Sequence, residues 1–265
     1  MKKVLLSAFV FISCCSVFAI TGTEVVQKYF EKNPAPLFSK TEFKVETYEG
    51  NKLKDSITLN QFGRNKDALT ETVFEVTKSP STKGTRFLQS QKEKGSDARW
   101  IYTPALRTTR KIGAQDGSKS FVGTEFTYND TAMRELDEDK HELLEESKTI
   151  SVGGKSYNCW VVKSVPKSIK NLEFAYRVQY YDQDSCMPVK IEYFNKNDKM
   201  TKTMEIKELA VIVGANGVKH YTRKQTEIIN LATNRRSVLT LLNQELDNEV
   251  SPKYFVQSWL STGKL

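Results

Sequence analysis

Apolar and polar residues alternate with a period of two along most of this chain. Phe43, Val45 and Thr47 alternate with Lys44, Glu46 and Tyr48, and Gly50-Asn51 punctuates the run. Residues 57–62 alternate again, and 73–77 and 86–91 follow, separated by a polar loop over 79–84. Further on, Phe174, Tyr176, Val178 and Tyr180 alternate with Ala175, Arg177, Gln179 and Tyr181, and Val189, Ile191 and Tyr193 with Lys190 and Glu192. Period two sends successive side chains to opposite faces of a strand. Turn clusters at Gly153-Gly154, 182–184, 195–198, 214–217 and 232–234 separate the later runs. The pattern predicts a meandering antiparallel sheet of about ten strands with one wet face. Helical spacing is confined to three places. Thr23 is a plausible cap for a helix over 24–32, with Val25, Val26, Tyr29 and Phe30 on one side. Residues 131–138 suggest a short helix with Met133 and Leu136 inward, and Ser251-Pro252 opens a final one carrying Tyr254, Phe255, Trp259 and Leu260.

The stretch from Arg99 to Asp130 stands apart. Trp100 and Tyr102 share a strand face, Pro104 interrupts the ladder because it lacks an N–H, and the chain turns back through residues 108–112. After a Gly/Ser-rich loop, residues 120–130 read as a third extended segment, with Phe126 and Tyr128 again two apart and Gly123 at a bend. Trp100-x-Tyr102-x-Pro104-Ala105-Leu106, then Arg110-Lys111-Ile112, a loop, and Ser120-Phe121-x-Gly123-Thr124-Glu125-Phe126-Thr127-Tyr128-x-Asp130 together resemble the outer-membrane lipoprotein-sorting family, LolA-like periplasmic carriers often associated with RND-type exporters. Glu125 and Asn129 replace an aspartate and a further acidic residue of that pattern.

Strand count alone does not separate a sandwich from an open barrel. The resemblance implies the second: a mainly β fold, an incomplete antiparallel barrel or strongly curved sheet, with helices over the concave face and one domain over residues 20–265. In a sandwich the alternating aromatics fill a core; in an open barrel they line a cavity. On the resemblance, the expected lipid-binding residues are Trp100, Tyr102, Phe121, Phe126, Tyr128, Phe174, Tyr176, Val178, Tyr180 and Ile191. Tyrosine and tryptophan suit such a wall, presenting apolar surface and a polar tip. The implied activity is non-enzymatic transfer of a lipid or acylated lipoprotein between membranes, with no cofactor, transient membrane contact and an RND-type inner-membrane transporter as a further partner.

The N-terminus changes the picture of where the protein works. Lys2 and Lys3 precede an apolar run to Phe18, and Val17-Phe18-Ala19 offers small residues for cleavage after Ala19. This is the pattern of a secretory signal peptide over residues 1–19, which places the mature chain in the periplasm. Lipidation at Cys14, after Phe11-Ile12-Ser13, is the alternative start and tethers the protein to a membrane. The formal charge of +8 includes Lys2 and Lys3, so cleavage leaves +6 (8 − 2), dispersed along the chain. A modest dispersed excess on an exported chain favours anionic lipid surfaces over nucleic acid. Cys159 and Cys186 remain after cleavage, on elements two strand spacings apart, about 10 Å, too far for a disulfide.

Little points to catalysis. His141 and His220 have no cysteine or histidine at metal-ligand spacing. No G-x-S-x-G elbow occurs, and Gly153-Gly154-Lys155-Ser156 lacks the first glycine of a phosphate loop and joins two strands. The acidic run from Glu135 to Glu146 reads as a solvated face rather than a cation or basic-partner site. Two other classes stay open: a secreted hydrolase acting on lipid or cell-wall material, and a non-catalytic envelope interaction module with a filled core.

The leader makes a direct prediction. The exported protein is expected to begin at Ile20 without covalent lipid, which intact-mass measurement checks. A mass corresponding to a diacylated Cys14 start would overturn it.

Overall fold

The computed structural model describes residues 19–66, 69–92 and 97–264. The expected leader lies outside the described residues, apart from Ala19. Helix α1 (Gly22–Lys32) precedes thirteen strands and helix α2 (Gln257–Thr262) follows them. The strands are β1 (Phe38–Glu49), β2 (Lys52–Lys66), β3 (Leu69–Lys78), β4 (Arg86–Lys92), β5 (Ala98–Thr103), β6 (Thr108–Lys111), β7 (Asp139–Val152), β8 (Lys155–Pro166), β9 (Tyr176–Asp182), β10 (Pro188–Phe194), β11 (Met200–Val213), β12 (Lys219–Asn230) and β13 (Arg235–Leu246). They form one antiparallel, strongly curved and unclosed sheet, as the alternation and the resemblance predict.

The strand order is β6-β5-β4-β3-β2-β1-β13-β12-β11-β10-β9-β8-β7. Two meanders therefore meet where β1 pairs with β13. The first meander spreads outward to β6 at one edge. The second begins at β7 on the far edge and works back to the middle. Residues 112–138 have to join the two edges, and they do so across the concave side. There Phe121, Val122 and Tyr128 are buried with Val45, Ile57, Leu59, Phe87 and Ile101.

Bulges supply the curvature. Register shifts interrupt β1–β2, β10–β11, β11–β12 and β7–β8, and each adds twist by setting two residues against one. Edge strand β7 is bulged twice and bears Lys140, Glu142, Glu145, Glu146 and Lys148, which discourages pairing with another chain.

Several elements differ from the sequence reading. The cap of α1 is Thr21, not Thr23, because Thr21 and Glu24 form a reciprocal capping box: the Glu24 N–H donates to Thr21 Oγ1 at 3.2 Å and the Thr21 N–H to Glu24 Oε2 at 2.7 Å. Residues 120–130 are not a strand. Val122 (φ 45°) and Gly123 (φ 83°) reverse the chain, leaving one bridge, Ser120 to Thr127. Residues 131–138 are not a helix but carry parts of two 3₁₀ turns, Asn129–Thr131 and Leu136–Glu138, and Met133 stays exposed. Asp139 departs from the solvated acidic face and is buried.

The two helices cover different faces. On the concave side, Val25 and Val26 of α1 pack on Val162 and Tyr181. On the opposite side, α2 and the 3₁₀ turn Pro252–Phe255 bury Phe255, Trp259 and Leu260 over Phe62, Val73 and Leu88. Burial of each such side chain contributes about 1.5–3 kcal/mol. Cys159 and Cys186 are buried free thiols, and burial pushes the Cys159 thiol up to about 12. Among the described residues, no helix is long and apolar enough to cross a membrane.

The β7–β8 turn tests the packing of this end of the sheet. Gly153 and Gly154 both have positive φ, 59° and 78°, as a two-residue hairpin requires. A Cβ on Gly153 would lie 2.0 Å from the Lys207 carbonyl oxygen, whereas one on Gly154 meets nothing within 4 Å. Gly154→Ala is expected to cost about 1–2 kcal/mol for its left-handed backbone. Gly153→Ala adds an overpacking cost of about 1–3 kcal/mol. Urea midpoints of the two variants check the difference, and equal midpoints would remove the turn from β11.

Candidate functional site

The concave face, α1 and the crossover line an open-mouthed cavity of about 630 Å³. This falls within the usual range for small-molecule sites, about 300–1,000 Å³. Its floor is apolar: Phe43, Val45 and Leu59 from the first meander, Ile191, Met204 and Leu239 from the second. Phe126 of the crossover touches the hydrophobic clusters of both meanders, bridging them across the cavity.

The crossover is latched by charge. Lys202 on β11 donates to Asp130 Oδ1 and Oδ2 at 3.1 and 3.0 Å and to Glu173 Oε1 at 2.9 Å, with its ammonium 4.3 Å from the centre of the Tyr193 ring. Burial favours the neutral amine, but the charges of Asp130, Tyr193 and Glu173 outweigh it and hold the Lys202 pKa above its ordinary value. Asn129 donates to Glu173 Oε2 at 3.0 Å, and the Glu125 N–H donates to Ser237 Oγ at 3.0 Å. Backbone that would otherwise wander across the mouth is thereby tied to β11 and β13.

A polar wall faces this apolar floor. Asp139 is buried and takes hydrogen bonds from Arg134 Nη2 and Arg177 Nη2, each at 2.6 Å. Burial alone raises its pKa; the two guanidiniums reverse that and hold it below the ordinary carboxylate value. His141 lines the same wall. Its Nδ1 lies 2.9 Å from Ser164 Oγ and its Nε2 3.0 Å from the Leu136 carbonyl. Burial lowers its pKa, so the neutral ring donates through Nε2–H and accepts the Ser164 hydroxyl at Nδ1. Ser164 has no exposed surface, so this pair offers the cavity no nucleophile. His220 instead contacts Asp247 Oδ2 at 3.0 Å and the Pro34 carbonyl at 3.2 Å, pinning the segment after α1. Among the described residues, no three His, Cys, Asp or Glu side chains are placed to hold a metal ion.

The residues expected at the site divide between faces. Phe121, Phe126, Phe174 and Ile191 line the cavity. Tyr128 lies beneath it, packed on Phe87 and Phe121. Trp100 and Tyr102 lie on the opposite face, against the cluster around α2, because Arg99 and Ile101 take the concave positions of β5. In β9 the cavity side belongs to Arg177, Gln179 and Tyr181. Tyr176 accordingly stacks on Phe194 at 4.8 Å, and Val178 and Tyr180 join Val161 and Val189 in a separate cluster. Alternation separates the two faces of each strand, but which alternate faces inward depends on the direction of curling. The guanidinium wall was not anticipated. Its only trace in sequence is that the alternates of an aromatic strand, Arg177 and Gln179, are polar without being turned to solvent.

The latch yields a stability prediction. Lys202→Met leaves Asp130 and Glu173 without their cation, an expected loss of about 3–5 kcal/mol. Denaturation midpoints measure it, together with faster tryptic cleavage at exposed Lys119 in the crossover. Glu173, despite burial, is held below its ordinary pKa by Lys202, as Asp139 is by its arginines. Their contribution is therefore present above the unfolded carboxylate range, about pH 4, and lost as pH falls through the lowered folded values. An unchanged midpoint in Lys202→Met would show that the crossover is held otherwise.

A family model described only as "Uncharacterized protein" matches residues 68–262. No curated protein matches the sequence. Among solved structures, the chain is similar to a domain from Vibrio parahaemolyticus named for outer membrane lipoprotein sorting (18% identity, TM-score 0.78, covering 91% of this chain and 98% of that one). It is similar to a DUF1329 family protein from Desulfovibrio piger (18% identity, TM-score 0.80, covering 90% and 97%). It is also similar to a LolA superfamily protein from Nitrosomonas europaea (14% identity, TM-score 0.67, covering 91% and 100%). At such identity the likeness is one of fold: this chain's curved, unclosed antiparallel sheet is similar to theirs, the LolA superfamily protein's included.

Proposed function

We propose that this chain, which belongs to the family whose model spans residues 68–262, is a periplasmic carrier, a single domain over residues 20–265 that binds the acyl chains of a lipid or lipoprotein. The observation that carries this reading is the apolar floor of a cavity of about 630 Å³, lined by a sheet, a helix and a latched crossover. Sheltering an acyl chain is the task such a floor suits. Each methylene kept from water is worth about 0.8 kcal/mol, so a two-chain lipid meets a barrier of tens of kcal/mol in crossing an aqueous gap unaided. Phe121, Phe126, Phe174 and Ile191 are the predicted site residues assigned to chain contact, joined by Phe43, Leu59, Met204 and Leu239. The leader motif supports export. The name of one structural neighbour, an outer membrane lipoprotein-sorting domain, supports delivery between membranes, and the motif from Trp100 to Asp130 suggests an inner-membrane transporter of the RND type as a further partner.

Carrier function needs exclusion of water and reversible release rather than bond chemistry. The neutral His141 and the fully buried Ser164 suit a structural role better than hydrolysis.

Organic extracts of protein purified from its native envelope are expected to contain acylated molecules at near-stoichiometric amounts. Leu239→Gln places an amide on the floor and should lower the yield several-fold while costing about 1–3 kcal/mol of stability. Trp100→Phe, on the far face, serves as the control and should leave the yield per folded protein as in the parent. Extracts without acylated species, or equal yields from Leu239→Gln and parent, would defeat the reading.

A further inference from the structure

We infer that the guanidinium wall of the cavity receives an anionic oxyacid headgroup, a phosphate or carboxylate joined to the acyl chain; this rests on the carrier reading and extends it to the class of cargo. Three arginines from separate parts of the chain converge there: Arg99 from β5, Arg134 from the crossover and Arg177 from β9, all lining the cavity. Their side chains are only 11%, 19% and 13% exposed. Asp139, 1% exposed, is the buried carboxylate that Arg134 and Arg177 share, while Arg99 pairs with Asp97 instead. Asp97 and Glu138 also pair with this wall, at 3.4 Å from Arg99 and 3.6 Å from Arg134, but they sit at its rim with 33% and 44% of their side chains exposed. Water screens rim charges and leaves buried ones unscreened. Asp130 and Glu173 are nearby acids already committed to Lys202. The dry part of the wall thus holds more guanidinium than carboxylate.

Hydrogen bonding points the same way. The Nε atoms of Arg99 and Arg177 are buried and have no hydrogen-bond partner. A buried donor left unpaired costs about 1–3 kcal/mol, more for a charged group, so two on one wall mark places for acceptor oxygens. Guanidinium presents its N–H groups in the planar fork that suits an oxyacid. Gln179, two residues from Arg177 on the same side of β9, is 5% exposed, and its Oε1 also lacks a donor. A headgroup bearing a hydroxyl or ammonium beside its anionic oxygens satisfies all three atoms. Phe174, with Arg177 5.2 Å above its ring, sets the apolar floor directly beside the wall, so head and chain are bound in continuity.

The test is calorimetric titration of delipidated full-length mature protein with dodecyl phosphate, dodecanol and inorganic phosphate. Dodecyl phosphate is expected to bind about tenfold tighter than dodecanol, with inorganic phosphate not binding at millimolar concentration. Arg99→Gln should reduce that ratio to within about threefold, and Arg99→Lys should restore little of it, because lysine lacks the fork. Arg99→Gln is the primary variant because its acid partner is at the rim, whereas Arg177 supports buried Asp139. Arg177→Gln, where it folds, should act in the same direction. Equal affinity for the two amphiphiles overturns the headgroup site and leaves the carrier standing. So does a preference that survives in folded Arg99→Gln,Arg177→Gln protein. Binding of inorganic phosphate alone overturns the link between head and chain. Binding of neither amphiphile overturns the carrier reading itself.

Discussion

The structure depends on one topological constraint: the chain leaves the sheet at one edge, β6, and re-enters it at the opposite edge, β7. A connection of that span either passes outside the curved sheet or through its concavity. Here it passes through, and it is apolar where it crosses. Phe121, Val122 and Tyr128 convert what would be an open trough into a partly filled one. Segments of this length without regular structure are uncommon in compact proteins and usually functional. This one forms part of the cavity wall, and Lys202, Asp130 and Glu173 hold it in place. The latch is buried and ionic, so it is strong when whole and costly when one member is lost.

Curvature decides the rest. Bulges in both meanders bend the sheet until one face is enclosed and the other exposed. Each face then needs its own cover. The concave face receives α1 and the crossover and retains free volume. The convex face over β2–β5 receives α2, where Phe62 stacks on Tyr254 at 3.9 Å and Arg86 lies 5.4 Å from the Trp259 ring. Both sides are packed with apolar clusters, and only the concave one keeps a cavity between them.

The cavity is two-sided in chemistry as well. Burial on its polar wall strengthens the charge interactions there. Arg134 and Arg177 therefore hold Asp139 ionised against a burial penalty that would otherwise protonate it. Close by, His141 is kept neutral by burial and oriented by Ser164 and a backbone carbonyl. A charged wall thus stands directly beside an apolar floor.

The sequence by itself determined a great deal. Period-two alternation established an antiparallel meander, the glycine pair at 153–154 one of its hairpins, and the motif from Trp100 to Asp130 pointed to a curved, unclosed sheet. Thr21 and Thr23 are equally good caps by residue type, and only the reciprocal bond with Glu24 separates them. Local signals also misled over 120–138, where aromatic spacing suggested a strand and Met133 and Leu136 suggested a helix. Those side chains are spaced to fill a concavity, not to satisfy a backbone ladder. The site was legible only in part. Alternation shows that Trp100 and Ile101, or Tyr180 and Tyr181, face opposite ways, but it carries no information about which way the sheet curls. That sign is set by bulges and by where the crossover passes, both properties of distant strands brought together. The same holds for Arg99, Arg134 and Arg177: as sequence they are three scattered charges, and only tertiary structure brings Arg134 and Arg177 onto buried Asp139 and sets Arg99 on the lining of the same cavity.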